Sequence, residues 1–186
     1  MLLGLCLDDL TIDDSLTDLE RVKQYIDSKV EAQRLAQVKI LHETSVFVGY
    51  EVASKEIFPL FDKIINDPEF VIREQFAIEL RGITKTFLKC GKSSENDHDL
   101  HEKYEEHYSE VLELLLKTVT SLLKDKRVEV RIESCETLAI IAGNSKEEDV
   151  QVKVLPIALL MVHSFESSLR VTGVRALNKV AEVLTA

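Results

Sequence analysis

Residues Asp67-Pro68-Glu69-Phe70-Val71-Ile72-Arg73 and Asp125-Lys126-Arg127-Val128-Glu129-Val130-Arg131 repeat one pattern, a polar turn that opens with aspartate and leads into apolar residues and an arginine. Degraded copies follow when Asp27, Asp67, Asp125 and Ser164 are set equivalent. Gln33, Arg73, Arg131 and Arg170 then form one column, Val30, Phe70, Val128 and Ser167 a second, and Ala32, Ile72, Val130 and Leu169 a third. The intervals are 67 − 27 = 40, 125 − 67 = 58 and 164 − 125 = 39. A period near forty residues in a helix-rich sequence predicts stacked helix pairs, each burying its apolar face against its neighbours.

Between the turns the apolar spacing is helical. Leu16, Leu19, Val22 and Ile26 form one stripe, with Ser15 or Thr17 placed to cap its start. Ser28 and Glu31 have capping-box spacing, and Leu35, Val38, Leu41 and Val48 run on to Gly49 as a stop. A helix over 51–65 follows, then Asp67 as a cap with Pro68 in the first helical position, and a helix carrying Ile72, Phe76, Ile83 and Phe87 toward Cys90 and Gly91. Val111 to Leu122, Val128 to Ala142, and residues 147–163 and 168–185 complete the set, with Asn144 or Ser145 capping the start of the penultimate helix. The pairs span about 15–49, 51–91, 109–143 and 145–185. The excess in the 58-residue interval falls on an acidic, polar insertion over 91–108.

Pro59 and Pro156 each lie eight residues before a turn position, Asp67 and Ser164. Proline removes a helical hydrogen bond and kinks the axis, so two first helices bend at the same place. The fold expected is all-α, an α-solenoid of about four helix pairs in a single domain over 1–186.

Composition narrows the function. With 45% hydrophobic and 30% charged residues among 186, the chain can bury a sizeable core. Its formal net charge of −10 argues against a partner bound through many phosphates, since that affinity comes from lysine and arginine displacing counterions. Cys6, Cys90 and Cys135 are widely spaced, which fits neither a disulfide framework nor a zinc knuckle, and favours a reducing compartment. The apolar start, Met1 to Leu7, has no basic leader and is read as part of the fold. No apolar run reaches membrane-spanning length.

A first helix with an internal proline, a turn aspartate and a second helix beginning apolar-x-apolar-Arg resembles the HEAT repeat. The resemblance implies a ladder of ion pairs and hydrogen bonds between stacked repeats, built from Asp67, Arg73, Asp125, Arg131 and Arg170. Residues 35–83, and 58–81 in particular, resemble the regulatory and scaffold subunits of PP2A-type serine/threonine phosphatases. That likeness implies a non-catalytic subunit binding the phosphatase catalytic subunit through its intra-repeat turns: Asn66, Asp67, Pro68 and Glu69; Lys124, Asp125, Lys126 and Arg127; Ser164, Phe165 and Glu166. The compartment expected is the cytoplasm, with the nucleus also compatible. A karyopherin-like transport or assembly adaptor, also built on HEAT repeats, is the alternative, and the negative charge suits it.

Other chemistry is weaker. His98, His101 and His107 with Asp97, Asp99, Glu102, Glu105 and Glu106 are rich in potential metal ligands, but their order is not HExxH. No cofactor or metal is expected, and the insertion is read as a solvated surface that contacts a partner. Cys135 is expected in the core. Arg73, Arg131 and Arg170 could hold phosphopeptides through bidentate contacts, or pair with turn carboxylates inside the array; the repeated position favours the second. Residues 150–162 are apolar nearly all round, unlike a terminal repeat, so the array is expected to continue or to be covered by a partner at that end.

Overall fold

A computed structural model of the chain describes residues 11–88 and 98–185, and side chains from residue 107 onward in the second span. Among the described residues every regular element is helical. They are α1 (Asp18–Tyr25), α2 (Glu31–Lys39), α3 (Leu41–Val48), α4 (Tyr50–Glu56), a 3-10 turn (Phe58–Leu60), α5 (Phe61–Ile64), α6 (Phe70–Phe87), α7 (His98–Leu122), α8 (Val128–Gly143), α9 (Glu147–Asp149), a π-helical turn (Val150–Val154), α10 (Leu155–Val162) and α11 (Ser167–Leu184). The metal-ligand candidates over 97–106, together with Cys6, Cys90 and the apolar start, lie outside the described residues or side chains.

Helices α2, α6, α8 and α11 pack one on the next in chain order, while α7 and α10 lie against α8 and α11. Helix α8 is therefore covered on several sides. Its buried residues, Val130, Ser134, Cys135, Leu138, Ala139, Ile141 and Ala142 among them, cover a little more than half of the circumference, roughly 200° at 100° per residue. By contrast α6 buries one stripe, Ile72, Phe76, Ala77, Leu80 and Ile83. Phe61 meets Phe76 edge-on with ring centroids 4.9 Å apart, and Phe58 meets Phe87 in the same way at 5.8 Å.

Several boundaries differ from the sequence expectation for identifiable reasons. Thr17 caps α1 in a full capping box with Glu20, whereas Ser15 is tied to Asp13. The long helix expected over 28–49 is two, broken at Ile40 (φ −98°, ψ 2°), and Gly49 ends the second at φ 76°, where a Cβ would be strained. Pro59 sits in the 3-10 turn, and the π-helical turn lies just before Pro156. At each place the missing N–H and the ring's clash with the carbonyl four residues back remove the regular α bond, so both first helices are interrupted.

The second helices start two residues later than the turn aspartates imply. Helix α6 begins at Phe70 with Glu69 as its extended N-cap residue, so neither Asp67 nor Pro68 takes the role expected of it. Likewise Val30, not Ser28, precedes α2, and Lys146, not Asn144 or Ser145, precedes α9.

The expected insertion is also partly helix. Residues 98–108 extend α7 at its N-terminal end, and His107 and Tyr108 belong to the packed structure. The His107 ring stacks on Tyr50 at 4.0 Å. The Tyr108 hydroxyl donates to Asp149 Oδ2 and accepts from the Lys146 N–H, each at 2.9 Å, tying α7 to the start of α9. A charged stretch rich in glutamate forms helix readily, and the buried Tyr108 holds its C-terminal part against Lys146 and Asp149.

Candidate functional site

Four turns join first helices to second helices, and they share one hydrogen-bond pattern. Ser28 Oγ accepts from the Val30 N–H, Asp67 Oδ1 from Glu69, Asp125 Oδ1 from Arg127, and Ser164 Oγ from Glu166, at 2.8–3.2 Å. Such Asx and Ser turns satisfy an orphan donor ahead of each helix. The second element of the pattern is an arginine six residues on. Nη1 of Arg34, Arg73, Arg131 and Arg170 donates to the backbone carbonyl of Ser28, Asp67, Asp125 and Ser164 respectively, at 2.6–3.0 Å.

This geometry corrects the first register by one residue. The equivalent positions are Ser28 and Arg34, not Asp27 and Gln33, and the intervals become 67 − 28 = 39, 58 and 39. Asp27 instead meets Lys63 at the surface, and Gln33 donates to the Thr11 carbonyl at 2.9 Å.

Three of the arginines also reach into the following unit. Arg34 Nε and Nη2 donate to the two carboxylate oxygens of Asp67 at 2.7 and 3.1 Å. Arg73 does the same to Asp125 at 2.6 and 3.0 Å. Arg131 Nε reaches Thr172 Oγ1 at 3.1 Å, because the turn position that would supply a carboxylate is Ser164. Its expected pairing with a turn carboxylate does not occur. Arg170 keeps its two bonds to the carbonyls of Ser164 and Phe165 and has no ion pair among the described residues. A ladder of carboxylates therefore covers only two of the three junctions.

The pairs are nearly dry, with side-chain exposure of 12% for Arg73 and 8% for Asp125. Burial pushes the Asp125 carboxyl up. The hydrogen bonds from Arg73 and the Arg127 N–H, with the charges of Arg73 and Arg131, more than offset it and hold the group below the usual aspartate value. Arg73 is correspondingly raised, first by its hydrogen bond to Asp125.

What the turns present to solvent follows from this pairing. Asp67 and Asp125 are turned inward, whereas Asn66, Pro68, Lys124, Lys126, Arg127 and Glu166 are exposed and Phe165 is fully so. Arg127 lies over the Phe70 ring at 4.0 Å and pairs with Glu129 at 3.2 Å. Glu69 and Ser164 are half-buried. A groove between the second and third turns is lined by Asn66, Pro68, Lys124 and Lys126, with the Arg73–Asp125 pair as its floor. Its free charge is positive on a protein of net charge −10.

Elsewhere, Cys135 is fully buried, and burial pushes its thiol up to about 11. Among the described residues no group of three or more His, Cys, Asp or Glu side chains is placed to hold a metal ion, and no helix is long and apolar enough to cross a membrane.

Arg34 and Thr172 are the residues that the sequence reading missed. The equal 39-residue intervals could have found Arg34; nothing in the sequence marks Thr172, whose role arises from packing. No protein-family model matches the chain, and no curated protein matches it.

Proposed function

We propose that the chain is an α-solenoid of HEAT-like helix pairs serving as a non-catalytic regulatory or scaffold subunit of a PP2A/PP4-type serine/threonine phosphatase. The likeness of residues 58–81 to the regulatory subunits of such phosphatases, phosphatase 4 regulatory subunit 1 included, motivates the partner. The observation that carries the reading is the row of four equivalent turns. Their inward groups are consumed by the arginines, which leaves Pro68, Lys124, Lys126 and Phe165 available on the turns. A scaffold works by presenting such a repeated edge to a partner.

Affinity purification of the tagged chain tests it. A serine/threonine phosphatase catalytic subunit is expected in the eluate, and the triple variant K124E/K126E/F165A is expected to lower its recovery about tenfold or more with the melting temperature unchanged. Recovery of no phosphatase, or undiminished recovery by the variant, would overturn the reading.

A karyopherin-like adaptor is the second reading, favoured by the carboxylates between α6 and α8. The Glu74 carboxyl is raised by burial and then by the charges of Glu133 and Glu129; Arg81 pairs with Glu133 and Arg127 with Glu129, so Glu74 is the carboxylate of this group left for a basic cargo. Basic peptides competing for the chain, with loss in E74Q/E129Q, would support this reading over the first.

A further inference from the structure

The groove between the second and third turns carries two charges that no described residue answers. It encloses about 390 Å³ over the Arg73–Asp125 pair, with Ile65 and Pro68 on the side of the second turn and Lys124 and Lys126 on the side of the third. Both lysines are exposed, and neither ammonium group has an ion-pair or hydrogen-bond partner among the described residues. At the preceding junction the cation is spent, because Lys63 pairs with Asp27 of the first turn. Arg127, next along the third turn, is held by Glu129 and lies over the Phe70 ring. The free charge of the groove is thus opposite to that of the chain as a whole, −10.

The two walls differ in kind, and each selects a different side chain. Asp125 is turned inward between the lysines, so side chains two positions apart share the outer wall. An extended segment has the same period, with residues i and i+2 facing one way and i+1 the other. The Lys126 N–H has no acceptor among the described residues and can donate to a carbonyl of such a segment. Phosphate is the less suitable anion. Arg73, the group that would clasp it in bidentate fashion, is spent on Asp125 and on the carbonyls of Asp67 and Pro68.

We propose that this groove binds an extended segment of a partner protein that reads acidic, apolar, acidic, its two carboxylates facing Lys124 and Lys126 and the residue between them resting on Ile65 and Pro68. The chain's own acidic stretch does not reach the groove. Leu88 and His98 are ten links apart, at most about 36 Å of chain, too short to run about 27 Å along α6 to the turns and back. A second copy does not supply the segment either. Of the chain's own matches to the pattern, Asp18-Leu19-Glu20 is wound into α1, and in Asp67-Pro68-Glu69 the aspartate is held by Arg34.

The inference rests on the reading of the turns as a partner-binding edge and names what the partner carries there. The test titrates the full chain with the amidated peptide GSELESG and follows backbone amide shifts by NMR. Saturable shifts are expected at residues 65–68 and 124–127, weakening as salt is raised. On the wild-type chain, GSQLQSG and the reordered GSLEESG should each bind about tenfold more weakly. K124E/K126E should weaken GSELESG binding about tenfold or more, whereas K29E/K85E, the same change of net charge at exposed lysines elsewhere, should leave it unchanged. Equal binding of either control peptide, shifts centred outside the groove, indifference to K124E/K126E, or no saturable binding up to about 10 mM would each overturn the proposal. Peptide binding with no phosphatase in the eluate removes the phosphatase and supports this inference; phosphatase recovery with no peptide binding does the reverse.

Discussion

Arg73 on α6 holds both carboxylate oxygens of Asp125, 52 residues away, while Arg170, its equivalent on α11, holds none. The two arginines share their internal bonds to the turn and differ only in what lies beyond. R73A is expected to cost about 3 kcal/mol of stability, because it strands a nearly dry carboxylate. R170A, at an exposed position, should change stability by less than about 0.5 kcal/mol. Urea unfolding of the two variants measures the contrast, and equal losses would contradict a ladder that acts between units.

Asp125 also makes the junction sensitive to acid. Its native carboxyl titrates below the ordinary aspartate value of about 3.9, so the pair's contribution is complete above that pH and disappears as pH falls through the depressed native value. The gap in unfolding free energy between wild type and R73A should be full at pH 5 and should narrow at pH 2.5. A gap of unchanged size at both pH values would show that Arg73 acts through packing alone.

Ser164 interrupts the carboxylate ladder, which makes it a place where stability can be gained. Arg131 stands to position 164 as Arg73 stands to Asp125, and at present its Nε has only the Thr172 hydroxyl. S164D keeps the turn's bond to the Glu166 N–H and adds a carboxylate for the arginine. It should stabilise by about 1 kcal/mol and raise the melting temperature by about 2–4 °C. A lower melting temperature would mean that the fourth unit does not repeat the geometry of the third.

How legible these features are depends on whether they are local. The turns and their arginines can be read because a six-residue offset recurs with the same residue types at Asp67 and Arg73 and at Asp125 and Arg131. The first copy misleads because Asp27 and Gln33 sit beside the true positions, Ser28 and Arg34, and an aspartate attracts the alignment. Helix starts are displaced because Asp67 spends its side chain on an Asx turn instead of on the first helical N–H groups. Thr172 as a partner for Arg131 and Tyr108 as an anchor for Lys146 and Asp149 are set by how helices distant in sequence pack. No periodicity announces a contact of that kind. The interrupted first helices, in contrast, follow directly from Pro59 and Pro156.

Gly173 reveals how closely α10 and α11 approach. A Cβ there would lie 2.5 Å from the Val162 backbone nitrogen and 2.9 Å from Ala158 O and Met161 C, all backbone atoms that cannot rotate away. Glycine to alanine in an open helix ordinarily gains up to about 1 kcal/mol. Here the sign reverses, because α10 must shift and the buried contacts of Ala158 and Met161 must loosen. G173A is expected to lose about 2 kcal/mol net, lowering the melting temperature by about 4–8 °C. G143A is the control. A Cβ at Gly143 would sit 2.4 Å from Val183 Cγ1, a side-chain methyl on a 40%-exposed residue near the end of α11, which can turn aside. Thermal melts of both variants decide it, and a neutral or stabilised G173A would mean that α10 and α11 do not pack backbone to backbone.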